Sequence, residues 1–130
     1  MKKPLFFLFS AALLYATLVI ISLASCSKSD PSAQFLGTYI GSDSYGGSTH
    51  VDTLIIGSGG NSTNTNITLH DTYTNTTVNG TVSGNNIVIS SQTVGLATVS
   101  GSGMLSGSNL TASVTSTLGG VNFSFSGVKQ

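Results

Sequence analysis

Gly80-Thr81-Val82-Ser83-Gly84-Asn85-Asn86-Ile87-Val88-Ile89 reads as two short strands folded around a tight turn, and it decides the fold class. Val78, Gly80 and Val82 fall at every second position, as do Ile87 and Ile89. A period of two suits a half-buried strand and no helix. Between them, Ser83-Gly84-Asn85-Asn86 supplies residues that tolerate positive φ, as a hairpin turn demands. The same grammar returns in Gly103-Met104-Leu105-Ser106-Gly107-Ser108-Asn109-Leu110-Thr111-Ala112. Both segments read Gly-x-apolar-Ser-Gly-x-Asn-apolar-x-apolar. Hairpin tips are predicted at Gly84-Asn85, at Gly107-Ser108 and, from the paired glycines, at Gly119-Gly120. Two similar hairpins are too few for a repeat array, so they read as one meander solution used twice.

Working outward, Phe35, Gly37 and Tyr39 share one face of a first strand. Val51, Thr53 and Ile55 are read as the inward row of a second, and Ile67 and Leu69 of a third. After the two strands already quoted come Val99, Gly101, Gly103 and Leu105, then Leu110, Ala112 and Val114, then Val121, Phe123 and Phe125. No segment beyond the leader carries a helical period. The expectation is an all-β domain over residues 35–130, after an N-terminal signal helix. It is a single antiparallel meander of about eight strands forming a small barrel or sandwich. Gly80, Gly101 and Gly103 fall in the inward rows, where glycine weakens a strand. They imply either sharp coiling of the sheet or room for a bulky neighbour such as Phe123 or Phe125.

Charged residues make up 6% of the chain, against about 25% in an average soluble domain. Ser, Thr, Asn and Gly solvate the surface instead. Beyond the leader, Lys28 and Lys129 stand against Asp30, Asp43, Asp52 and Asp71, with no Arg and no Glu. Nucleic acid is therefore not an expected partner, since phosphate binding needs clustered Lys and Arg.

Lys2 and Lys3 followed by the apolar run from Leu5 to Ile21 have the form of an export signal. An uncleaved membrane anchor of that length is the competing reading. Leu23-Ala24-Ser25-Cys26 at the end of the run resembles the lipobox of bacterial lipoproteins. That resemblance implies cleavage before Cys26, lipid attachment to its sulfur, and acylation of the new amino group. It divides the chain into a signal peptide (1–25), a lipidated cysteine with a short flexible tether (26–34) and the β domain (35–130). Cys26 is the only cysteine, so no internal disulfide is available. Ser27 after the cysteine, where inner-membrane retention uses Asp, implies the outer membrane, on its periplasmic face or the cell surface.

Four residues invite a metal reading: His50 and Asp52 on one strand face, and His70 next to Asp71. Nothing in the spacing brings the two pairs together, so no metal site and no cofactor are expected. The four aspartates look scattered, there is no Gly-x-Ser-x-Gly elbow, and no catalytic residue is assigned. Tyr45 and Tyr73, in or beside loops, are the candidate ligand contacts, weighed against a plain role in covering a barrel end.

Phe35-Leu36-Gly37-Thr38-Tyr39 resembles the first strand of lipocalin-like domains, with Tyr39 where those carry Trp. The whole pattern resembles small Bacteroidetes lipoproteins of unassigned function. The expected role is that of a lipid-anchored envelope protein, structural or interacting with another protein or a glycan, without catalysis. The alternative is a calycin-like module that binds a small hydrophobic ligand or glycan. A solid interior favours the first and an apolar cavity the second.

Overall fold

The computed structural model describes residues 29–60, 63–120 and 122–130. The expected signal helix, the lipobox residues Leu23, Ala24 and Ser25, and Cys26 lie outside them, as does Val121. The described chain forms eight strands: β1 (Gly37–Tyr45), β2 (Ser48–Ser58), β3 (Asn66–Asp71), β4 (Thr76–Ser83), β5 (Asn86–Val94), β6 (Ala97–Ser106), β7 (Asn109–Ser116) and β8 (Asn122–Lys129). Each pairs antiparallel with its sequence neighbours, and β1 pairs with β8 from Tyr39↔Lys129 to Tyr45↔Phe123. The meander is thus a closed barrel rather than a sandwich. Closure leaves no free sheet edge and gives the described residues a self-contained fold.

Turn chemistry follows the sequence reading. Gly84 and Gly107 sit at the predicted hairpin tips with φ of 56° and 60°. The predicted tip at Gly119-Gly120 also has positive φ, joining β7 to β8. Inward rows match as well: Ile67 and Leu69, Val78 and Val82, Ile87 and Ile89, Leu110 and Ala112 are all buried. Fully burying a side chain of Val or Leu size stabilises by roughly 1.5–3 kcal/mol, which makes these rows the main drive to closure.

The second strand is a correction. Its inward row is Asp52, Leu54 and Ile56, while Val51 is 82% exposed and Ile55 points outward. Leu54-Ile55-Ile56 is a continuous apolar run, so it suits either phase, and the phase that buries Leu54 and Ile56 also buries Asp52. The tether is corrected too. From Asp30 on, that stretch is folded against the barrel rather than free. The Ser32 amide and hydroxyl both donate to Asp30 Oδ1 at 2.8 Å, and the Gln34 side chain donates to the Gly84 carbonyl at 2.6 Å. Phe35, at the end of this turn, is fully buried and accepts on its carbonyl a 2.8 Å bond from the Tyr39 hydroxyl. Burial pushes the Tyr39 phenol up from its ordinary value. Lys129 lies 6.0 Å from the Tyr39 ring centre and donates to the Gln34 carbonyl at 2.9 Å. One end of the barrel is thereby plugged.

Both reasons for inward glycines occur, at different places. A methyl group at Gly101 would run into the Ser113 carbonyl of β7, so sharp coiling accounts for this one. Gly127 makes room for the ring of Phe125, whose nearest atom would lie 2.5 Å from an added Cβ.

Candidate functional site

The end opposite the plug is open. It carries the turns after β1, β3, β5 and β7, and beneath them lies a cavity of about 220 Å³. Its walls are Leu54, Leu69, Val78, Val94, Val99, Val114 and Phe123, with Tyr45 among the lining residues. Asp71, Thr74, Thr76 and Ser116 add the polar part of the lining. The hollow has a local cause. Phe35 and Tyr39 fill the plugged end, whereas short side chains such as Ala97 and Ala112 line this one. The backbone ladder between β4 and β5 also runs only from Ser83↔Asn86 to Thr81↔Val88, because β5 bulges between Ile89 and Gln92. Thr76 and Val78 of β4 and Val94 of β5 flank this seam and line the cavity.

Beside the cavity the first three strands bring Asp43, Asp52 and Asp71 together. One carboxylate oxygen from each lies within 4.8 Å of the others, and all three residues are buried. The register explains it: Asp43 faces His50 on β2, Asp52 is two residues further along, and Leu54, two beyond that, faces Asp71 on β3. Each acid is one diagonal step from the next, on the inward face, within reach of its neighbour. This corrects the view of the aspartates as scattered, since three of the four meet. At an effective dielectric of about 20, two unit charges at that spacing repel by roughly 3 kcal/mol, so the group is costly when fully ionised.

Two of the acids have structural roles. Asp52 Oδ1 accepts bonds from the Thr53 amide (2.6 Å), the Thr72 hydroxyl (3.0 Å) and the Tyr73 amide (3.1 Å). Asp71 Oδ1 accepts the Thr74 amide at 2.8 Å. Together they shape the turn between β3 and β4. Asp43 holds no turn, since neither of its oxygens has a hydrogen-bond partner, and Asp52 Oδ2 has none either. His50 Nδ1 approaches Asp43 Oδ1 to 3.6 Å. Burial pushes the Asp71 carboxyl above its ordinary value; the Thr74 bond opposes this, while the charges of Asp52 and Asp43 add to it.

Tyr45, the last residue of β1, and Tyr73, in the turn between β3 and β4, are both exposed at the open end. The Tyr73 ring stacks on His50, with centroids 4.5 Å apart and planes 20° from parallel. His50 and Asp52 do share an inward face, and Asp71 joins them, but His70 does not. Its Nδ1 lies 2.9 Å from the Thr77 hydroxyl on the outer face. Sequence reasoning missed Asp43, whose only signal was its place four residues after Tyr39 on the inward row of β1. No protein-family model, curated protein or solved structure matches the chain.

Proposed function

We propose that this protein is a binding module of the bacterial envelope, tethered to the outer membrane by lipid on Cys26, that takes a small, mainly apolar ligand into the open end of its barrel. The observation that carries this reading is the cavity of about 220 Å³ with its largely aliphatic walls. A purely structural or protein-interacting role needs no such space. A cavity of about 150 Å³ accommodates benzene, so the ligand would have on the order of ten non-hydrogen atoms. Thr74, Thr76 and Ser116 would receive a hydroxyl or similar polar end, and Tyr45 would lie against it at the rim.

We assign the site no catalysis and no nucleic-acid partner. Among the described residues His70 is held by Thr77 on the outer face, and His50 lies against Asp43 and the Tyr73 ring beside the cavity rather than among its lining residues. Titration of residues 29–130 with a small neutral aromatic, indole, followed by its fluorescence in a chain that has no Trp, tests the reading. Saturable one-to-one binding, lost in a folded Val114→Phe variant, is expected. Absence of saturable binding, or binding indifferent to Val114→Phe, would contradict it.

A further inference from the structure

We propose that Asp43, Asp52, Asp71 and His50 form a binding site for a divalent cation at the open end of the barrel. This stands apart from the apolar-ligand reading and does not depend on it. Three carboxylates on three adjacent strands lie within 4.8 Å of one another, about twice a calcium–oxygen bond of ~2.4 Å. Holding the β3–β4 turn accounts for one oxygen each of Asp52 and Asp71. It does not account for Asp43, which is 1% exposed with both oxygens unpartnered, nor for the unpartnered Oδ2 of Asp52.

A buried carboxylate without hydrogen bonds is costly and persists only if something neutralises it. Lys129 is the single lysine among the described residues, and it is bound to the Gln34 carbonyl at the far end of the barrel. His50 Nδ1 is also without a hydrogen-bond partner and faces Asp43 at 3.6 Å. The groups facing the centre are therefore three acids and one imidazole, and the one lysine of the described chain does not reach them. A divalent cation would take up the free oxygens of Asp43 and Asp52 in one step, with Asp71 and the His50 ring nitrogen completing the set. Oxygen donors with one imidazole fit calcium, manganese or zinc. The bonds from Thr53, Thr72, Tyr73 and Thr74 would act as the outer shell that orients the ligating carboxylates.

The test is calorimetric titration and thermal unfolding of the full chain, in detergent and stripped with chelator, against CaCl2, MnCl2 and ZnCl2 at neutral pH. Saturable one-site binding of at least one ion is expected, with a melting temperature that climbs with its concentration. Asp43→Asn, nearly isosteric, should abolish both effects yet melt no lower than the wild type in chelator, since it removes an uncompensated buried charge. Asp71→Asn should weaken binding by about tenfold or more, and Asp30→Asn should leave it intact. If Asp43→Asn does not fold, the contrast between Asp71→Asn and Asp30→Asn decides. The proposal is overturned if none of the three ions binds the wild type, or if binding is undiminished in the folded cluster variants.

Discussion

The side chain of Gln92 is bonded to the backbone of Asn79 in both directions. The Asn79 amide donates to Gln92 Oε1 at 2.9 Å, and Gln92 Nε2 donates to the Asn79 carbonyl at 2.7 Å. A side-chain amide has the donor and acceptor of a peptide group, so Gln92 stands in for the strand that the bulge in β5 has moved away. It closes the ladder at the seam where the cavity reaches the wall. Gln92→Ala should destabilise residues 29–130 by about 1–2 kcal/mol in urea unfolding. A midpoint equal to that of the wild type would show the clip to be dispensable.

At Gly101 the neighbouring strand leaves no room for a side chain, because an added Cβ would overlap the Ser113 carbonyl. Gly101→Val should lower stability by about 1–3 kcal/mol or more, through overpacking against backbone that cannot yield. Gly46→Ala offers a contrast. It has open space around it and a φ of 59°, so its cost should be only about 1 kcal/mol, from conformation alone. Equal losses at the two positions would argue against the close approach of β6 and β7.

The strand rows were legible because Val, Ile and Leu recur at every second position and the tips carry Gly and Asn where positive φ is needed. Closure of β1 on β8 was not legible, since alternation alone fits a sandwich equally well. The phase of β2 was hidden for a physical reason. Burying Asp52 is unfavourable for one strand considered alone and becomes tolerable once Thr53, Thr72 and Tyr73 supply its bonds from the assembled barrel. The acid cluster was hidden for the same cause: Asp43, Asp52 and Asp71 are remote in sequence and meet only through the diagonal register of three strands. The position of Tyr45 and Tyr73 near loops is readable from the turn residues around them, but the cavity between them and the plug depends on side-chain volumes at each end.

Acidity should stabilise the ion-free barrel through Asp71. Its carboxyl is raised, first by burial, so the folded state holds this proton more tightly than the unfolded chain does. The resulting stability is fully present below the ordinary value of 3.8 and is lost as the pH rises through the folded-state value. In chelator, wild type and Asp71→Asn should therefore melt closest together at acid pH, with the variant gaining on the wild type toward neutrality. His50, Asp43 and Asp52 surround the same centre and remain in both proteins, so the difference isolates Asp71. A wild type that gained on the variant as pH rose would reverse the sign.

Anchoring is tested by Cys26→Ala. Palmitate incorporation should vanish and the precursor should keep its full mass, because the lipobox resemblance makes Cys26 both the attachment point and the residue that follows the cut. Palmitate labelling that survived the substitution would remove the proposed tether.

Native mass spectrometry of residues 29–130, expressed with export to the periplasm and no anchor, bears most directly on the proposed binding role. A reproducible added mass is expected, that of a small molecule of on the order of ten non-hydrogen atoms, released on unfolding and missing from folded Val114→Phe. A bare wild-type mass that also stays bare after incubation with an envelope lipid and metabolite extract would contradict the binding role and return the barrel to a structural one.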